Sequence, residues 1–429
     1  MRVPVPEMPE SESPALPTSA MRAVPSRLTQ ACLLAAALAL GAVSPAMAKG
    51  KTAGHDKAAA HAAKSGKTAA GGKTAKSTGG GKAAAKSSGK KGGRGGRAAH
   101  VAAGAAAAAA PMGLEHWTPS SDKPDQAEDA KELAALRSTA QSGDAKAQYL
   151  LGSRYRFGRG VNQDLAQAVQ WFRKSADQGY APAQSDLGVL YANGRGVSQD
   201  ERQAVQWYRK ASDQGDGIAQ NNLGLMYAEG RGVAKDDAQA VQWFQRSAQS
   251  GEAAGQYSLG VMLASGRGVK EDSRSALQWF EQAGEKGHAD AQYNAGMMYA
   301  EGAVVPQDMP RAAGWLEKSA NQGNASAQST LGFLYANGQG VGQNPATAAR
   351  WFERAAKQGD TLAQSNLAAM YASGQGVEKS MAKAYYWLLI AKTKDASLQS
   401  RVRTAEQDLG SAEKLRIQRE AQAWKPVKQ

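Results

Sequence analysis

The sequence predicts an all-α fold, a solenoid of antiparallel helix pairs, from three observations. Tryptophan recurs at Trp171, Trp207, Trp243, Trp279, Trp315, Trp351 and Trp387, every step being 36 residues with no insertion. The same period carries Gly152, Gly188, Gly224, Gly260, Gly296 and Gly332, and an alanine three before each tryptophan, from Ala168 to Ala384. Inside one period Ala147, Leu151 and Tyr155 fall at i, i+4 and i+8, the stripe of an amphipathic helix and not the alternation of a strand. A fixed period of this length marks a tandem array whose units bury their apolar stripes only by stacking on one another.

Two segments precede the array. Residues 1-48 read as an N-terminal extension and secretory signal peptide. Met21, Arg22 and Arg27 lead into an apolar run from Ala31 to Val43, and Pro45-Ala46-Met47-Ala48 offers a small-x-small cleavage site after Ala48. Met1 and Met21 both remain open as the start, because the first twenty residues add nothing that a signal needs. That run rises only about 20 Å as a helix, against a bilayer core of roughly 30 Å, so no transmembrane span is expected. The one cysteine, Cys32, lies at the front of the run with Thr29 three residues before it, where a lipid-attachment site needs an aliphatic side chain. A chain cut after Ala48 therefore keeps no thiol, which excludes disulfides, cysteine zinc sites and cysteine nucleophiles. The expected location is periplasmic or secreted.

Residues 49-124 read as a disordered basic linker rich in Lys, Ala and Gly. From Lys49 to His100 there are 11 Lys and 2 Arg against Asp56 alone, a net +12 of the chain's formal +14, so the rest is close to neutral. Such a segment has too little apolar side chain to offset a chain entropy of about 1–2 kcal/mol per residue. Lys49-Arg97 suits a tether to an anionic cell-envelope polymer or to nucleic acid; a plain solvated spacer reads equally well. Gly66-Lys67-Thr68-Ala69-Ala70-Gly71-Gly72-Lys73-Thr74 nearly spells a phosphate loop, but an extra glycine breaks the spacing and no strand flanks it.

The array itself follows in order. Residues 125-144 match only the second helix of a unit, with Leu133, Leu136 and Ala140 on one face, and form an N-terminal cap. Seven units fill 145-396. In each, the first helix ends at a paired-glycine turn such as Gly158-Arg159-Gly160-Val161, suited to positive φ. Asp164, Asp200, Asp236, Asp272 and Asp308 then cap the second helix, with Gln167, Gln203 and Gln239 three residues on, and Asn344-Pro345 marks the same boundary. Gly152 and Ala168 let the two backbones approach while Trp171 and Tyr155 fill the space beside them, so a mid-array Trp→Ala change is expected to cost about 3–5 kcal/mol. Residues 397-429 supply two C-terminal capping helices.

The pattern from Ala181 to Tyr208, Ala-x-Ala-Gln-x-x-Leu-Gly-x-x-Tyr-x-x-Gly-x-Gly-Val-x-x-Asp-x-x-x-Ala-x-x-Trp-Tyr, resembles the Sel-one-like repeat, a relative of the tetratricopeptide repeat. The resemblance spans the seven copies. It implies a right-handed α-solenoid and a scaffold or adaptor, and exported bacterial members act as envelope regulators, machine components or ligands of host proteins. Some cysteine-rich relatives are linked to β-lactam binding, but this sequence lacks their cysteines. Departures from the pattern gather in the C-terminal half: Ala303-Val304 in the turn, Gln339 and Gln375 for its arginine, Ala368 for the helix glycine, and Leu263 for the tyrosine.

By the tetratricopeptide analogy the first helices line a concave face. The stripe expected there is Lys146, Tyr149, Ser153 and Arg156 in unit one, then Asn221 and Leu225, Tyr257 and Val261, Asp290, Tyr293 and Met297, and Ser329 and Phe333. Tyr and Met beside Asn suit an extended peptide or partner helix, though Val261 and Phe333 also read as packing under the next unit. Arg159, Arg195, Arg231 and Arg267 read as helix-end and ion-pair residues more readily than as a basic row. His55, His61, His100, His116 and His288 include no pair at metal-ligand spacing, and nothing about position 288 calls for an imidazole. No catalytic residue, metal, cofactor or small-molecule substrate is expected, only an unidentified protein partner. A nucleic-acid-associated protein and a cell-wall or β-lactam hydrolase are the alternatives.

Overall fold

The computed structural model describes residues 126–427; the segments expected to be a signal peptide, 1-48, and a basic linker, 49-124, lie outside the described residues. Among the described residues the fold is an all-α solenoid of 17 α-helices with no strand. Helix α1 (Gln126–Gln141) leads into seven helix pairs. These are α2 (Ala145–Phe157) with α3 (Leu165–Asp177), α4 (Ala181–Asn193) with α5 (Glu201–Asp213), α6 (Gly217–Glu229) with α7 (Asp237–Gln249), and α8 (Ala253–Ser265) with α9 (Ser273–Glu285). The last three are α10 (Ala289–Glu301) with α11 (Met309–Asn321), α12 (Ala325–Asn337) with α13 (Pro345–Lys357), and α14 (Thr361–Ser373) with α15 (Met381–Lys392). A short 3-10 turn (Ala396–Leu398), α16 (Gln399–Glu406) and α17 (Ser411–Ala423) follow.

The second helices begin at side-chain caps: Asp164 accepts from the Gln167 N–H at 2.9 Å, Asp200 from Gln203 at 2.9 Å and Asn344 from Thr347 at 3.0 Å. Each satisfies a donor that the helix start would otherwise leave open.

Within a unit the two helices meet at a contact that the period alone did not identify. The residue after each tryptophan, Phe172, Tyr208, Phe244, Phe280, Leu316 or Phe352, is buried and lies over the first-helix glycine of its own unit. The tryptophans sit beside this contact, not in it: Trp207, Trp315 and Trp387 are buried, Trp171, Trp243, Trp279 and Trp351 half-buried. A cation three residues on covers the rings of Trp171, Trp207, Trp243, Trp315 and Trp351 at 4.1–4.7 Å. Unit seven places Ala368 at the glycine register and Leu388 at the phenylalanine register, both in one buried cluster.

Glutamines join successive units. Gln148, Gln184, Gln220, Gln292, Gln328 and Gln364 each donate Nε2 to a carbonyl at the end of the preceding helix, at 2.7–3.2 Å. Carbonyls at a helix C-terminus lack intrahelical partners, so these bonds tie the joint together. Gln178, Gln214, Gln322 and Gln358 in turn donate to the Oε1 of Gln148, Gln184, Gln292 and Gln328 at 2.7–2.8 Å. Ser250 and Lys286 hold that register in units three and four, and there Gln220 Oε1 and Gln256 Oε1 are buried without a hydrogen-bond partner.

Candidate partner-binding face

Each first helix is flanked by the second helix of its own unit and by the one before it, and α4 meets α6, α6 meets α8 and α12 meets α14 directly. Successive second helices have no comparable contact with each other. The first helices therefore line the inner side of the stack, and their free perimeter is narrow.

That geometry decides where the expected stripe lies. Tyr149, Asn221, Tyr257, Tyr293, Met297 and Phe333 are each less than a tenth exposed, while Leu225 is half-buried. Tyr149 packs 5.5 Å from the Phe172 ring and 5.3 Å from Tyr180; Tyr257 lies 5.9 Å from Phe280 and stacks on His288 at 4.4 Å. Ser258 donates to Asn221 Oδ1 across the joint at 2.9 Å. Burial drives the Tyr149 and Tyr257 hydroxyls far above the usual tyrosine range. The structure thus turns most of the stripe into packing within and between units and leaves little of it on an open face, because a neighbouring helix covers the side that a single amphipathic helix would expose.

What stays accessible is a strip with different members. Pro182, Ile218, Ala254, Asp290, Ser326 and Leu362 occupy the second position of their helices and are partly exposed, as are Leu225 and Val261. Helices α4, α6, α8, α10, α12 and α14 contain no Lys or Arg; their only charges are Asp186, Glu229, Asp290 and Glu301. Asp186 is buried and paired with Arg156 of unit one at 3.5 Å, and burial lowers the Arg156 pKa. The face is neutral to acidic and part apolar.

Two of the four turn arginines, Arg231 and Arg267, behave as helix-end and ion-pair residues. Arg231 Nε donates to Glu201 at 2.7 Å and its Nη2 to the Ala192 carbonyl at 3.3 Å; Arg267 Nη2 donates to Asp237 at 2.6 Å. Both pairs cross from one unit to the next and are partly solvated, so a double-mutant cycle on Glu201→Ala and Arg231→Ala is expected to give a coupling of about 0.2–1 kcal/mol. Denaturant melts of the four proteins measure it.

Two sets of residues escaped the sequence reading. Asp186, Asn222, Asn294, Thr330 and Asn366 share the sixth position of the first helices and are buried; Asn222 Nδ2, Asn366 Nδ2 and both polar atoms of Asn294 have no hydrogen-bond partner. The recurrence of Asn222, Asn294 and Asn366 at every second unit was legible as a pattern, but its burial was not. His288 is the second: its Nδ1 accepts the Ala291 N–H at 3.3 Å and caps α10, so the position does use its imidazole. Among the described residues no three His, Cys, Asp or Glu side chains cluster closely enough to hold a metal, and no helix is long and apolar enough to cross a membrane.

Comparison with known proteins gives concordant matches. The family model described as Sel1 repeat matches seven times, at 145–180, 181–216, 217–252, 253–288, 289–324, 325–360 and 361–395. A Sel1 repeat protein from Oxalobacter formigenes is 33% identical, over 66% of this chain and 82% of that one, with a TM-score of 0.52. A protective antigen of uropathogenic Escherichia coli strains, displaying an SLR fold, is 28% identical over 69% of this chain and 80% of that one, with a TM-score of 0.42. No curated protein matches the chain.

Proposed function

The chain belongs to the Sel1 repeat family, and from that premise we propose that it is an exported, non-catalytic scaffold whose first-helix face holds a protein partner. The linker 49-124 tethers that scaffold to an anionic polymer of the cell envelope. One observation carries the reading: charge is segregated. Six first helices in succession lack any Lys or Arg, while thirteen basic residues crowd into Lys49-Arg97. A neutral to acidic, part-apolar strip suits an extended peptide or helix that is itself neutral or basic, and a cationic tail suits a polyanion.

The partner strip is tested at positions that spare the packing. Ile218→Glu combined with Leu362→Glu is expected to lower partner capture in cells about tenfold, read by crosslinking and mass spectrometry, with far-UV circular dichroism unchanged. Undiminished capture removes the strip. The export reading predicts a mature N-terminus at Lys49 outside the cytoplasm. Full-length protein held in the cytoplasm on nucleic acid supports the alternative of a nucleic-acid-associated protein.

A further inference from the structure

We infer that His288 makes the joint between the fourth and fifth units sensitive to mild acid. Five of the seven first helices begin at a side-chain N-cap, Tyr180 and Glu252 making none, and apart from His288 the acceptor is an oxygen: Asp216 accepts the Ala219 N–H at 2.7 Å, Asn324 the Ala327 N–H at 2.9 Å, and Asp360 the Ala363 N–H at 2.6 Å. At α10 the acceptor is His288 Nδ1. That bond needs a lone pair on Nδ1 and therefore a neutral ring protonated on Nε2. The same ring stacks on Tyr257 of α8, with an angle of 19° between the planes, so one imidazole both starts the fifth unit and packs on the fourth.

Protonation sets a donor against a donor at Ala291 and puts a cation at the positive end of the helix dipole. The charged and titratable groups facing the ring are the Asp290 carboxyl, on the first turn of its own helix, and the Tyr257 hydroxyphenyl from α8. Lys286, at the end of α9, is turned to the Gly251 carbonyl. Asp290 favours the cation, but burial outweighs it and lowers the His288 pKa below its usual value near 6.5. The opened joint then binds more protons than the closed one, so stability is full above about 6.5 and falls as pH drops below it. Asp290 acts with the opposite sign: burial raises its pKa, and the Asn324 amide donates to it at 2.8 Å. One further feature marks this joint: its turn carries Val304 where units two, three, four, six and seven place a glycine against the preceding unit.

Amide exchange at α10 in the full chain tests the inference. From pH 7.5 to 5.5, opening corrected for intrinsic exchange is expected to rise on the order of fivefold, the effect of losing one N-cap. In His288→Asn, which copies the Asn324 cap, it is expected to stay flat. No rise in the wild type, or a rise retained in His288→Asn, overturns the inference. If that variant does not fold, NMR titration of His288 in the wild type decides: a pKa at or above 6.5, or a proton on Nδ1 at neutral pH, overturns it equally.

Discussion

Phe244→Ala is expected to destabilise the third unit by about 3–5 kcal/mol, more than Trp243→Ala beside it. Phe244 is 2% exposed and packs on the bare backbone of Gly224, so its removal leaves a cavity between two helices that cannot close without shifting. Trp243 is half-buried, and the Arg246 guanidinium lies 4.5 Å above its ring, so truncation there removes surface that water already reaches. The contact also makes a prediction about coupling. A methyl group on Gly224 would fall 2.6 Å from Phe244 Cδ1, an overpacking that costs about 1–3 kcal/mol on its own. Combining Gly224→Ala with Phe244→Leu relieves the clash, and the chain already uses that pairing at Ala368 and Leu388. Amide exchange on α6 and α7 reads the opening of this unit separately from its neighbours. Additive effects in the double variant would show that the two side chains do not share one space.

The same contact shows what the sequence made legible. The period, the turns and the caps are local: they follow from 36-residue spacing, positive-φ glycines and Asp at the helix start, and the helices lie where those signals put them. Gly152 and its equivalents were equally visible as sites of close approach. Which ring fills the approach was not, because Trp171 and Phe172 are adjacent on one helix and about 100° of rotation separates inside from edge. The candidate face was harder still. Tyr257 and Tyr293 sit at the register a lone amphipathic helix would expose, but each first helix has neighbours on several sides, and only the stack decides which apolar residues stay open. Ile218 and Leu362, at the second position of their helices, stay partly exposed.

Gly232→Ala is expected to cost about 3 kcal/mol or more, whereas Gly230→Ala two residues earlier costs about 1–2 kcal/mol. Both glycines adopt left-handed backbone, with φ of 66° and 73°, so both changes incur the strain of placing a side chain there. They differ in what the new methyl meets. At Gly230 the nearest atom is the Lys235 Cβ at 3.0 Å, the root of an exposed side chain. At Gly232 it is backbone of the preceding unit, the Glu201 carbonyl carbon at 2.5 Å and the Arg202 nitrogen at 2.9 Å, where α5 begins. Backbone at the start of a helix cannot turn aside, so units two and three must move apart, and the Arg231 bond to Glu201 stretches with them. Thermal melts of the two variants separate local strain from this displacement; equal losses would mean that the second glycine serves only the turn. Val304 stands at this register in unit five, so the joint between units four and five lacks the glycine approach and holds instead through Tyr299 and Arg311, which both donate to Glu281 at 2.7 and 2.6 Å, and through the His288 cap. A joint held by titratable side chains in place of close backbone contact is the one at which an acid-dependent opening is expected to begin.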